Sequence, residues 1–263
     1  MICLTGDVHH SALRSNDLPY CQSTEIDAAW EYSRIANNFG LKVTLFCTGL
    51  CAKEAPELLK RLAQMDNVEI GGHNYFAFKP RMPFKLYYRL RSFKNGPYLF
   101  QAWEVRRTRR VLKEVTGSEI ISWRDHGYRQ DRNTRKILAT NGVRYCSDSL
   151  SNDMAQPKWN DGVIDVPINT IPDHDYVYHG GRQPGSFDEE PLRNSVFKTG
   201  AMAPADWLEK VRGQIMRTEE YGGVATILAH PACMEVMDDF KTFRKLCSFL
   251  SKFHSVKMNE IIV

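Results

Sequence analysis

The chain has 263 residues, 43% of them hydrophobic and 25% charged, with a formal net charge of +4. That is enough chain for a full hydrophobic core, in two small domains or one α/β barrel. No apolar stretch approaches the ~20 residues of a membrane span, and the N-terminus already reads as strand rather than as a charged region followed by an apolar one, so a cytoplasmic protein is expected. The seven cysteines are an odd number at scattered spacing. They read as reduced thiols buried as small hydrophobes, not as a disulfide framework.

Residues 2–5 read as a short buried strand, with Gly6 turning the backbone at its end and Asp7-Val8-His9-His10 following. Because strand side chains alternate in direction, a carboxylate and an imidazole two residues apart can face one pocket. Thr24 with Asp27 resembles a capping box, which opens a helix that runs to about residue 39 and ends at Gly40. Residues 41–46 suit a buried strand, Ala55-Pro56 opens a helix, and Val68-Glu69-Ile70 is a strand closed by Gly71-Gly72. A helix over 100–115 stops before Gly117. Strands at 120–123 and 143–146 bracket a helix at 132–141, and a strand at 163–166 follows. The remainder alternates as helix 205–220, strand 224–228, helix 238–253 and strand 254–258. Irregular stretches at 80–98 and 170–203 break the rhythm, as loops over a substrate pocket do. The alternation predicts one α/β domain over residues 1–263, a closed or nearly closed barrel with about seven parallel strands.

Charge is uneven. Between residues 79 and 113 there are eleven Lys or Arg and one acid, Glu104, with seven aromatic residues interleaved. The segment is either a solvated helix face or a surface for an anionic partner, a phosphate-bearing substrate or a membrane surface. Nothing in it matches a nucleic-acid-binding module.

Four predicted strand ends carry reactive residues. Besides Asp7 and His9 they are Gly71-Gly72-His73-Asn74-Tyr75, Trp123-Arg124-Asp125-His126-Gly127-Tyr128 and Ile227-Leu228-Ala229-His230-Pro231. In a parallel barrel these ends converge on one mouth, a stronger signal than any single histidine.

Their order and spacing resemble the polysaccharide deacetylase family (NodB homology, carbohydrate esterase family 4) from residue 2 to residue 263. Asp7 matches the catalytic base of the family's first motif, and His9 stands where branches reading Asp-Val-Asp have a metal-binding aspartate. Glu69-Ile70-Gly71-Gly72-His73 matches the second motif, with Ala77 at its second histidine position. Arg124 matches the third motif and Ile227-Leu228-Ala229-His230 the last. The resemblance implies a distorted (β/α) barrel and a divalent metal, commonly zinc, that activates water against an acyl group on a sugar. The string from Arg124 to Asp131, with Tyr145-Cys146-Ser147-Asp148 and Val166-Pro167-Ile168, is most similar to the branch that deformylates a lipid-linked aminoarabinose during lipopolysaccharide modification. An amino-sugar substrate follows from that likeness, with a nucleotide- or lipid-diphosphate link as an option, and a place in surface polysaccharide or O-antigen synthesis at the inner membrane surface.

Under that reading His9 and His73 ligate the metal, and His10 or His126 replaces the ligand missing at Ala77. Two imidazoles and a carboxylate suit zinc, with one position left for water. Asp7 takes the water's proton or completes the metal shell. Arg124 keeps a nearby carboxylate ionised, and protonated His230 donates to the leaving amine. Trp123, Tyr128 and Asp125 are expected against the substrate, with Asp148, Asp165 and His174 behind them. Asp7 is expected to serve turnover more than folding. Two other readings compete. One is a binding protein on the same fold that has lost its metal. The other is a metallophosphoesterase, because Gly6-Asp7-Val8-His9 also resembles that superfamily's first motif, but its Gly-Asp-x-x-Asp block is absent between Ser11 and Ile70.

Overall fold

The computed structural model describes residues 1–9, 20–77, 96–151, 156–177, 196–197 and 199–263. Among the described residues eight strands occur, β1 (Ile2–Val8), β2 (Val43–Cys47), β3 (Val68–Gly72), β4 (Ser122–Trp123), β5 (Tyr145–Cys146), β6 (Lys158–Asn160), β7 (Val163–Asp165) and β8 (Ala225–Leu228). They form one sheet in the order β6-β7-β5-β4-β3-β2-β1-β8, parallel throughout except for the β6–β7 hairpin. Every residue of β1, β2 and β3 is buried, as expected where helices cover a parallel sheet.

The helices are α1 (Glu25–Asn38), α2 (Gly49–Glu54), α3 (Pro56–Ala63), α4 (Tyr98–Thr116), α5 (Thr134–Thr140), α6 (Asp173–Tyr176), α7 (Pro204–Glu220), α8 (Pro231–Asp238) and α9 (Lys241–Leu250). Thr24 caps α1 as expected, its hydroxyl oxygen accepting from the Asp27 amide. Gly117 closes α4 in the left-handed conformation, where a side chain would be strained.

Register sets the position of the chemistry. Val8 pairs with Cys47, Cys47 with Gly72, Gly72 with Trp123, and Trp123 with Cys146, so successive strands end in one row. His9, His73 and Arg124 each follow the end of a strand in that row. The sheet curls without a continuous ladder between its edges. After β7, the Asn169 amide donates to the Val224 carbonyl and accepts from the Thr226 amide, while the Thr170 hydroxyl donates to the Thr226 carbonyl. These side chains take the place of a ladder on that side of β8.

Several sequence expectations change. The strand β1 runs through Gly6 to Val8 instead of turning at Gly6. A Cβ at Gly6 would lie 2.9 Å from the Pro231 ring, so the glycine admits the start of α8, and with it His230, close to β1. Gly71 and Gly72 lie inside β3, and a Cβ on Gly72 would meet the Trp123 ring at 2.4 Å. The helix expected over 238–253 spans Lys241–Leu250, and a helix that the sequence did not announce, Pro231–Asp238, precedes it, the two separated by Asp239 and Phe240 in the left-handed region. Residues 254–258 form no strand beyond an isolated bridge from Ser255 to Ile2. All seven cysteines are free and buried, as expected. No helix among the described residues is long and apolar enough to cross a membrane.

Candidate active site

Asp7 lies at the centre of the rim. Its Oδ1 accepts from Arg124 Nη1 at 2.8 Å, and its Oδ2 stands 3.8 Å from His73 Nε2 and 3.6 Å from His230 Nε2. Burial alone would raise its pKa, but the Arg124 guanidinium and the two imidazoles outweigh this and hold the carboxyl well below its ordinary range. Arg124 is itself fully buried. It donates to Thr5 Oγ1, Ser147 Oγ and the Ser147 carbonyl, and its guanidinium lies 4.4 Å from the centre of the Phe46 ring. The Asp7–Arg124 pair is therefore a buried, hydrogen-bonded ion pair, and Asp7 has a structural load that the sequence reading did not give it.

His73 is oriented from behind. Its Nδ1–H donates to the Arg124 carbonyl at 2.7 Å, which leaves the Nε2 lone pair facing Asp7, buried and without a hydrogen-bond partner. Burial pushes this imidazole down to about 3 against the opposing pull of Asp7, so it is neutral near pH 7. A neutral ring fixed by a carbonyl, with an unsatisfied buried lone pair, is the arrangement of a metal-ligating histidine.

His9 and His126 gather around it. Ring centroids are 5.1 Å apart for His9 and His73, 4.9 Å for His9 and His126, and 5.6 Å for His73 and His126. Three imidazoles around one tetrahedral zinc ion stand with centroids about 5 Å apart, given Zn–N bonds of ~2.0–2.1 Å. His9 is steered by Glu25 at the start of α1, whose Oε2 accepts from the His9 amide at 2.7 Å and lies 3.0 Å from Nδ1. Burial, reinforced by repulsion from His9 and His73, holds His126 well below its ordinary range. Its amide donates to Asn74 Oδ1, and Asn74 Nδ2 donates to Asp125 Oδ1. His10 lies outside the described residues.

His230 is held on both sides by carboxylates. Asp173 Oδ1 is 2.8 Å from Nδ1 and Asp173 Oδ2 accepts from the His230 amide, while Nε2 faces Asp7. Burial would lower its pKa, but Asp173 and Asp7 overcome this and push it up to about 10. His230 is thus a cation near pH 7, where His73 is neutral. His174, His230 and Cys233 form a second cluster of ligating atoms, all within 4.8 Å of one another. His230 carries a proton and two carboxylate contacts, whereas the His73 Nε2 lone pair has no hydrogen-bond partner.

The expected substrate walls divide. Trp123 is fully buried, donates its indole N–H to Asp125 Oδ1 and packs beneath Gly72, so it presents no face to a sugar. Asp125 is also buried, bonded to Asn74 and Trp123, and its amide donates to Asp148 Oδ1. Burial and the neighbouring Asp125 raise Asp148 well above the usual carboxylate range, and its carboxyl also accepts from the Cys146 thiol. Only Tyr128, half-buried with φ of 54° on the turn after β4, remains placed for a ligand. Asp165 pairs with Arg135 and is structural. The sequence reading missed Glu25 and Asp173. The signal for both was chemical, since an oriented or protonated imidazole needs a carboxylate behind it.

Of the basic segment, four of the five Lys or Arg residues on α4 have structural partners. Arg109 donates to the Ile120 and Asn141 carbonyls, Arg107 lies over the Tyr75 and Trp103 rings, Arg110 pairs with Glu114, and Lys113 pairs with Glu119. Residues 78–95 lie outside the described residues.

Residues 21–146 match the polysaccharide deacetylase family. Solved structures share the fold. A protein assigned as a polysaccharide deacetylase from Mycobacterium smegmatis superposes with a TM-score of 0.69 at 18% identity, covering 98% of this chain and 85% of that one. A family 4 carbohydrate esterase from Streptomyces lividans, in complex with acetate, gives 0.50 at 14% identity, over 95% and 88% of the two chains. A family 4 pseudoenzyme from Bacillus anthracis gives 0.51 at 13% identity, over 98% of this chain and 63% of that one. The family match thus covers a little under half of the chain, and the solved structures share its fold. No curated protein sequence matches the chain.

Proposed function

We propose that this protein is a metal-dependent hydrolase that removes an N-acyl group from an amino sugar. The observation that carries this reading is the buried His73 Nε2, which lacks a hydrogen-bond partner and faces Asp7 Oδ2 at 3.8 Å. His9, His73 and His126 would hold a divalent ion, and a nitrogen donor set favours zinc over magnesium or calcium. When bound, such an ion polarises an acyl carbonyl and brings the pKa of its water to about 7.

The chain's own residues supply the proton transfers. Arg124 occupies Asp7 Oδ1 and keeps the carboxylate ionised, which leaves Oδ2 to accept a proton. His230, protonated between Asp173 and Asp7, gives its Nε2 proton to the departing amine. A carboxylate held ionised and an imidazole held protonated within 3.6 Å form an acid–base pair of opposite polarity.

The acyl group is formyl or acetyl, and the likeness of Arg124-Asp125-His126-Gly127-Tyr128 to the aminoarabinose deformylase branch favours formyl. The basic run over 79–94 supports a sugar carried on a nucleotide or lipid diphosphate, in lipopolysaccharide or surface-polysaccharide synthesis at the inner membrane surface. Ala77, in place of a second-motif histidine, and the pseudoenzyme of the same fold favour one further reading, a protein that binds sugars without turning them over. Zinc-loaded protein incubated with N-formyl and N-acetyl amino sugars, free and diphosphate-linked, separates the two. Release of formate or acetate that disappears in His73→Ala is expected. No release from any substrate by protein with a full equivalent of zinc overturns the hydrolase and leaves the binding protein.

A further inference from the structure

His174, His230 and Cys233 bring two imidazoles and a thiol within 4.8 Å of one another. Their positions come from two independent elements. His230 and Cys233 are three residues apart, at the cap and in the first turn of α8, and His174 lies on α6. Cys233 Sγ is 3.8 Å from His174 Nδ1, and the His174 and His230 rings are 4.9 Å apart. Sulfur and nitrogen bound to one tetrahedral zinc ion stand about 3.5 Å apart, given bonds of ~2.3 and ~2.0 Å. The Cys233–His174 pair thus needs a shift of only a few tenths of an ångström to meet one ion, and the widest pair, within 4.8 Å, a shift of about an ångström. Cys233 and His230 are buried, while His174 is half-buried and gives the cluster an approach from solvent.

We propose that these three residues form a second, thiophilic metal site that shuts the enzyme off. Its occupant is zinc, or a softer ion such as cadmium, since thiolate with two imidazoles is a donor set for such metals and not for magnesium or calcium. Binding releases the Cys233 thiol proton and the His230 proton to solvent. Asp173 holds His230 Nδ1, so the nitrogen left for the metal is Nε2, the one that must carry a proton for the leaving amine. The site therefore inhibits by removing the acid, with His73 untouched. The inhibition rests on the function proposed above, whereas the binding does not.

The test uses the whole protein titrated with cadmium, followed by the ultraviolet thiolate-to-cadmium charge-transfer absorption and by elemental analysis. Wild type should take up two equivalents, with the charge-transfer band tracking one of them. Cys233→Ser and His174→Ala should each bind one equivalent, and Cys233→Ser should lack the band. His73→Ala should lose the other equivalent and keep the band, which separates failure of this site from failure of the His73 site. With zinc, turnover by wild type should fall about a hundredfold or more once the second equivalent binds, the scale of a lost general acid. Cys233→Ser should retain its activity in the same excess. Absence of the band in wild type, its persistence in Cys233→Ser, or equal zinc inhibition of both proteins overturns the proposal.

Discussion

Replacing Asp7 by Asn tests whether the ion pair at the centre of the rim serves folding as well as chemistry. Arg124 is fully buried and makes contacts with Asp7, Thr5 and Ser147, but Asp7 Oδ1 is the only anionic group among them. An asparagine oxygen can keep the 2.8 Å contact while the guanidinium loses its counter-charge. Stranding one partner of a buried pair costs about 3–5 kcal/mol, and the retained hydrogen bond argues for the lower end. A chain of this size loses roughly 2–4 °C of melting temperature per kcal/mol, so Asp7→Asn should melt on the order of 10 °C lower. Because the folded-state pKa is depressed, this stabilisation is fully present above the unfolded value of about 4 and is lost as pH falls through the folded value. The deficit of the variant should therefore shrink in acid. Calorimetric melting of wild type, Asp7→Asn and Asp7→Asn with Arg124→Met is the assay, and the double variant should recover part of the loss because no buried charge is stranded. A single variant that melts within about 1 °C of wild type at pH 7 would refute the argument and return Asp7 to a purely catalytic part.

Three further outcomes are expected. His73→Ala and His126→Ala should each abolish or strongly weaken binding of the first zinc equivalent in a competition titration with a chelator, while Tyr128→Ala should leave it unchanged. Glu25→Gln, which removes the charge behind His9, should weaken zinc affinity about 10–100-fold with little change in melting temperature, and unaltered affinity would show that Glu25 does not orient a ligand. Asp173→Asn should lower the His230 pKa from about 10 towards its ordinary value. Since the raised value favours the folded state fully below about pH 6.5 and progressively less up to the folded value, that variant should lose stability chiefly in the acid-to-neutral range. The alkaline limb of its activity profile should also move to lower pH; an NMR titration of metal-free protein reads the imidazole directly, and an unmoved resonance counts against the assignment.

The main lines of the site were legible before any coordinates because a parallel sheet with aligned strand ends converts position in sequence into position on a rim. Asp7, His73, Arg124 and His230 each lie at or just beyond a strand end, and the register from Val8 to Trp123 brings the first three together. Apolar runs bounded by Gly and Pro sufficed to place most strands and helices, because strands buried on both faces leave a continuous hydrophobic trace. Which way each side chain points was not legible. Trp123 and Arg124 are adjacent, yet one packs beneath Gly72 and the other reaches across to Asp7, a difference decided by pleat and by the space a glycine leaves. The break at Asp239 and Phe240 was hidden because left-handed backbone at a bulky residue is unfavourable locally. It is compensated by burial of Phe240 and by its amide bond to the Met234 carbonyl. Glu25, Asp173 and the His174–Cys233 contact join residues 16, 57 and 59 positions apart. Composition and periodicity carry no information about distances of that kind; only the packing of α1, α6 and α8 against the sheet brings those groups together, and with them the charge state of each imidazole.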